Sequence, residues 1–186
     1  MATPVKRAVL TYQDYLQLPD DGNRYEIIKG ELYVSPAPSM KHQWTATQLT
    51  IVVGGHVSER DLGHVYAAPS DVFFSETSIV QPDLLFISKD RLHILTAPNV
   101  KGAPDLVIEV ISPSSTKTDQ ETKRVLYEEQ GVRHYWIFEP VERWVRAFEL
   151  GADGTYELVA EAASDRAFSA PPFPHLRIPL ARIWGA

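Results

Sequence analysis

Apolar positions along this chain fall into short runs whose spacing sets out an ordered series of elements. Tyr12 to Leu18 reads as a short helix ending at the turn Pro19-Asp20-Asp21-Gly22. Arg24-Tyr25-Glu26-Ile27-Ile28 and Leu32-Tyr33-Val34 then flank Lys29-Gly30-Glu31 as the arms of a hairpin. From His42 to about Arg60, Trp44, Leu49, Val52, Val53 and His56 recur at helical spacing. Thr50-Ile51-Val52-Val53 favours a strand there, and Gly54-Gly55 weakens a helix by roughly 1 kcal/mol each, but the length of the run favours helix. Three strands are expected next, at about His64 to Phe74, Val80 to Ile87 and Leu106 to Ile111, with Leu92 to Gly102 an irregular connection.

A second helix is expected from about Asp119 to Gln130. Pro113 blocks an earlier start, Thr118-Asp119-Gln120-Glu121 reads as a capping box, and Gly131 suits the position after the last turn. His134 to Glu139, Val145 to Leu150 and Tyr156 to Ala160 read as a meander of edge strands. Ala170-Pro171-Pro172-Phe173-Pro174 reads as an extended strap before a final apolar turn at Leu180 to Trp184. Nothing divides the chain, so residues 1–186 are expected to form a single α/β domain.

Two acids break the pattern. Asp83 lies in Val80-Gln81-Pro82-Asp83-Leu84-Leu85-Phe86-Ile87, and Glu109 in Pro104-Asp105-Leu106-Val107-Ile108-Glu109-Val110-Ile111. Both runs read as buried strands, where a lone carboxylate costs several kcal/mol unless a cation compensates it. Clustered carboxylates with water select a hard divalent ion such as Mg2+ or Mn2+, which points to metal-assisted hydrolysis. Asp105 and Glu109 share a strand face but lie about 13 Å apart at 3.3 Å per residue. Neighbouring strands are about 4.7 to 4.9 Å apart, so Asp83 rather than Asp105 is expected to join Glu109 on an ion, the alternative for both acids being a buried salt bridge to Lys or Arg with no metal. Without metal, burial and mutual repulsion are expected to raise the pKa of Asp83 or Glu109.

A Pro-Asp dipeptide on one strand, Glu on the next and a nearby Lys, in the order helix, three strands, helix, strand, resembles the PD-(D/E)XK nuclease superfamily. More narrowly, the chain is similar to the bacterial Uma-type family of restriction-endonuclease-like proteins. The matching stretches are Arg24 to Leu32, His42-Gln43, Gln81-Pro82-Asp83, Pro104 to Ser114, Asp119 to Tyr127 and Gly131 to Ile137. The resemblance implies a restriction-endonuclease-like fold, with a mixed central β-sheet flanked by helices, an N-terminal hairpin and a C-terminal meander. It also implies a Mg2+- or Mn2+-dependent endonuclease that hydrolyses phosphodiester bonds of DNA, with Asp83 and Glu109 as metal ligands.

The superfamily Lys lies two residues after the acid, but here that position is Ile111. Lys123, on the capped helix, is the expected replacement, orienting the attacking water and stabilising charge on the phosphate. Its alternative is a surface pair with Asp119.

Glu26, as an accessory acid, stands against an exposed hairpin carboxylate. His42, as a contact to phosphate or to a metal-bound water, stands against a helix-start residue facing solvent. Tyr127 shares the Lys123 face and is expected to pack over the site. Asp71 and Asp105 read as structural strand-entry residues.

Composition narrows the class. Cys is 0, which excludes disulfides, thiol catalysis and Cys-zinc sites and suits a cytoplasmic setting. The N-terminal run develops no signal-peptide core, and no stretch is apolar enough to span a membrane. The 6 His include no His-Glu-x-x-His, and neither a phosphate loop nor a Gly-x-Ser-x-Gly elbow occurs. Net charge is −6, the wrong sign for affinity built on many phosphate contacts, and favours a non-catalytic interaction module retaining the nuclease fold as the alternative. A homodimer is expected from the need to cut two strands and from an apolar surface at Trp136, Trp144 and Phe148.

Overall fold

The computed structural model describes residues 8–111 and 118–185, with the side chains of 118–120 outside it. A short helix α1 (Tyr12–Tyr15) precedes the hairpin β1 (Arg24–Ile28) and β2 (Glu31–Ser35). Lys29 and Gly30 turn it with φ of 53° and 80°, the paired positive values of a type I′ turn. Helix α2 (Met40–Glu59) follows, its first turn capped by the Ser39 hydroxyl accepting from His42 N. Next come β3 (Gly63–Ala67), β4 (Val72–Ser75), β5 (Ser78–Val80) and β6 (Leu84–Ser88). A 3-10 turn at Lys89–Ile94 leads to β7 (Val100–Lys101) and β8 (Leu106–Val110). A π-helical turn, Thr118–Lys123, runs into α3 (Arg124–Glu129). The chain continues through β9 (His134–Glu139), β10 (Trp144–Leu150), β11 (Tyr156–Ala163), β12 (Ala167–Ala170), β13 (Phe173–Pro179) and α4 (Leu180–Trp184).

Two of the expected long strands are each split in two, and proline is the physical reason. Pro69 separates β3 from β4 and Pro82 separates β5 from β6, and a residue without an N–H cannot serve a central ladder. At each proline the chain changes sheet. β3 and β6 belong to a six-stranded sheet of order β11-β10-β9-β8-β6-β3, whereas β4 and β5 belong to a five-stranded sheet of order β2-β1-β5-β4-β7. Asp83 therefore sits not within a strand, as its apolar run suggested, but in the bend where the chain re-enters the larger sheet.

That sheet is mixed: β8 and β9 pair in parallel, joined by the crossover that carries α3, and its other pairs are antiparallel. β9 is accordingly an interior strand with all six residues buried, not an edge strand of a meander. Trp136 on it is fully buried and donates to the Pro171 carbonyl, so it offers no surface to a second copy. The Pro-rich strap is instead the hairpin of β12 and β13.

Side-chain alternation along β8 sorts the core into two layers. Leu106, Ile108 and Val110 pack with Leu49, Val53 and Val57 of α2, with Phe168 and Phe173 of the last hairpin, and with α4. Val107 and Ile111 pack on the other face with Ile28, Val72 and Val80 of the smaller sheet and with Leu126 and Tyr127 of α3. A helix thus covers each face, and the smaller sheet closes the second. Among the described residues no helix is long and apolar enough to cross a membrane. The expected stop at Pro113 lies outside the described residues, as does the Thr118 side chain expected to cap the helix.

Candidate active site

Glu109 alternates with Val107 and Ile111 and so faces the layer closed by α3 and the smaller sheet. Asp83 arrives beside it by register. Leu84 pairs with Ile108, which sets Asp83 level with Glu109 one step beyond the last pair. The Val110 N–H donates to Asp83 Oδ2 at 2.8 Å and locks that arrangement.

Lys123, the last residue of the π-helical turn, points inward. Its Nζ lies 3.0 Å from Glu109 Oε1 and 2.9 Å from Glu26 Oε1, so one ammonium joins acids from β8 and β1. Lys123 is 1% exposed, and Glu26, Asp83 and Glu109 are 2%, 3% and 1% exposed. These values remove the surface-pair alternative for Lys123 and the exposed-hairpin alternative for Glu26.

The remaining expected residues meet the same cluster. Tyr127, one helical turn after Lys123, donates its hydroxyl to Glu109 Oε1 at 2.7 Å while packing in the core, so it both fills space and fixes the acid. Burial, with Glu109 beside it, pushes the Tyr127 phenol well above its usual pKa and keeps it a donor. His42 is buried, not facing solvent, and its Nε2 lies 3.0 Å from Asp83 Oδ2. Its Nδ1 has no hydrogen-bond partner among the described residues. Glu26 Oε1 also accepts from Gln81 N at 2.7 Å.

Arg24 is a cation that the sequence reading did not single out. Its Nη2 lies 2.9 Å from Asp83 Oδ1, and its Nη1 donates to the Gln81 carbonyl at 3.1 Å. A signal was present: Arg24 and Glu26 are two apart on one strand and share a face. Together these donors reverse the expected pKa of Asp83. Burial alone would raise it, but the His42 hydrogen bond and the Arg24 charge outweigh burial and hold the carboxyl at about 2. Asp83 is therefore ionised at neutral pH, and His42 Nε2 carries the hydrogen between them.

Asp71 and Asp105 stand apart and have structural partners. Asp71 accepts from the Tyr15 hydroxyl and the Gln81 amide, each at 2.8 Å. Asp105 accepts from Ser88 N at 2.8 Å and pairs with Arg91 at 2.9 Å.

Among the described residues no group of three or more His, Asp or Glu side chains is gathered as a ready metal cage. The donor chemistry still fits a hard divalent ion. Asp83 and Glu109 are adjacent carboxylates, and Asp83 Oδ1 accepts from Arg24 alone among the described residues. Three buried acids, Glu26, Asp83 and Glu109, share two basic partners, Lys123 and Arg24, with His42 as a further partner of Asp83. The site opens on one side into a cleft of about 320 Å³ lined by Arg24, His42, Gln43, Thr47, Thr50 and Asp83, among others.

Residues 12–181 match the family described as "Uma2: Putative restriction endonuclease". The fold is similar to the crystal structure of a "putative nuclease belonging to DUF820" from Anabaena variabilis ATCC 29413, with a TM-score of 0.77 at 19% identity over 94% of this chain and 97% of that one. No curated protein gives a significant match.

Proposed function

This chain belongs to the Uma2 family, and from that premise we propose that it is a Mg2+- or Mn2+-dependent endonuclease hydrolysing phosphodiester bonds of DNA. The observation that carries this reading is the convergence of Glu109, Asp83 and Lys123 from three separate parts of the chain onto one nearly solvent-free point beside a cleft.

A divalent ion held by Asp83 and Glu109 would polarise the scissile phosphate and lower the pKa of an attacking water. Each protein group has a defined share. Lys123 positions the water and offsets charge developing on the phosphate. Tyr127 and Lys123 together fix the Glu109 carboxylate. Glu26 holds the ammonium from its other side, which aims Lys123 rather than leaving it free to swing. His42 and the Val110 N–H set the orientation of Asp83.

A second reading, a non-catalytic module retaining the fold, is favoured by the net charge of −6. Metal binding separates the two, since a decayed site has no use for an ion. The direct test is incubation with supercoiled, linear and single-stranded DNA and with RNA under Mg2+ or Mn2+, beside Glu109→Ala. Metal-dependent cleavage that Glu109→Ala abolishes supports the enzyme. Wild type that neither binds Mn2+ nor cuts any of these substrates contradicts it.

A further inference from the structure

Three donors hold Asp83, and they differ in their freedom to leave. The Val110 N–H is backbone within a central strand and cannot move away. His42 is buried and sits in the first turn of α2, its own N–H tied to the Ser39 cap. Arg24 is the exception. Its side chain is 20% exposed, it lines the cleft, and besides Asp83 it is held by one hydrogen bond to the Gln81 carbonyl. It also lies in the field of Glu26 and Glu109 as well as Asp83, so an arriving cation would repel it from all three. A guanidinium displaced toward the cleft presents a planar fork suited to phosphate oxygens.

We propose that Arg24 is an exchangeable counter-ion, which occupies Asp83 while no divalent ion is bound and transfers to a substrate phosphate when one is. This deepens the reading of the site as a metal-dependent phosphodiester hydrolase and rests on it. Arg24 is then a substrate-binding residue that couples ion binding to substrate binding. Such coupling is reciprocal, so substrate must tighten ion binding by the factor by which the ion tightens substrate binding.

The experiment measures Mn2+ affinity by calorimetry in wild type and Arg24→Gln, each with and without a phosphorothioate single-stranded oligonucleotide that resists hydrolysis. With its competitor removed, Arg24→Gln binds Mn2+ more tightly than wild type, by at least about fivefold, the low end of ordinary site-to-site coupling. It also binds the oligonucleotide more weakly and shows less tightening of Mn2+ on oligonucleotide addition.

If Arg24 merely braced Asp83, the same substitution would loosen Mn2+, and that result overturns the proposal. Should Arg24→Gln fail to fold, wild type labelled with 15N arginine provides the test, with the Arg24 signals assigned in Arg24→Lys. Guanidinium signals held rigid without metal become mobile on Mg2+ addition and rigid again with oligonucleotide. Signals unchanged by Mg2+ overturn the exchange. Wild type that binds no Mn2+ overturns both this proposal and the functional reading beneath it, whereas tight wild-type binding that Arg24→Gln weakens overturns the Arg24 assignment alone.

Discussion

Lys123→Met is expected to be among the most destabilising single substitutions in this protein, although it exchanges side chains of similar length and reach. The ammonium lies 2.9 Å from Glu26 and 3.0 Å from Glu109, and both acids are almost inaccessible to water. Removing one partner from a buried ion pair costs about 3 to 5 kcal/mol, because a charge is left without compensation. Here two carboxylates lose the same cation. Among the described residues Gln81 N still donates to Glu26 and the Tyr127 hydroxyl to Glu109, which holds the loss within that range. For a domain of this size roughly 2 to 4 °C accompanies each kcal/mol, so the melting temperature should fall by roughly 6 to 20 °C.

Thermal unfolding followed by circular dichroism in chelator measures this directly. The triple variant Glu26→Gln, Lys123→Met, Glu109→Gln should recover much of the loss, since a buried ionic set replaced throughout by neutral groups is often near neutral in stability. A Lys123→Met protein that melts within about 2 °C of wild type, less than 1 kcal/mol makes in a domain of this size, would refute the reasoning. A triple variant as unstable as the single one would refute it too.

Other outcomes follow from the same geometry. Mn2+ should raise the melting temperature of wild type, because an ion bound only by the native state stabilises it, and Asp83→Asn should abolish the rise; an equal rise in Asp83→Asn would place the ion elsewhere. Burial, with Arg133 nearby, holds the His134 imidazole below its ordinary value of 6.5. The unfolded chain then takes up a proton that folded His134 refuses, so this contribution is fully present above about pH 6.5 and is lost as pH falls through the folded pKa. His134→Gln should flatten that slope, and parallel wild-type and variant profiles from pH 7 to 5 would contradict it. Arg24 is the one Lys or Arg among the described residues lining the cleft. Single-stranded DNA affinity should therefore fall with salt at a log–log slope of only about −0.7, and a slope near −7, the mark of about ten phosphate contacts, would show a different binding surface.

The carboxylates were legible in the sequence because an acid inside an apolar run is a local anomaly, and Glu109 needed no more than that. Lys123 was legible through the start signal of its helix, although the turn that carries it is π-helical. Asp83 was placed in a strand because the apolar run on either side of Pro82 was read as continuous. That proline, like Pro69, was the visible mark of a change of sheet, and recognising it would have recovered the two-sheet architecture. The interior place of β9 had a mark in the unbroken apolar run Tyr135-Trp136-Ile137-Phe138, the pattern of a strand buried on both faces, whereas its parallel pairing is chosen by the crossover through α3 and leaves no pattern within β9. Arg24 and the burial of His42 depend on contacts between residues 59 and 41 positions apart in sequence. They also reverse the expected pKa of Asp83, because repulsion between acids was weighed without the cations that long-range folding brings in.

The most direct test of a metal-dependent hydrolase at this site separates ion binding from chemistry at one residue. Supercoiled DNA is incubated with Mg2+ or Mn2+ and wild type, Lys123→Met or Glu109→Ala, below the melting temperature of each, while Mn2+ binding is measured on the same samples. Wild type should nick the DNA, Glu109→Ala should lose both cleavage and Mn2+, and Lys123→Met should lose cleavage while binding Mn2+ at least as tightly as wild type. Full cleavage by folded Lys123→Met would contradict the assignment of the lysine and, with it, the geometry of the site.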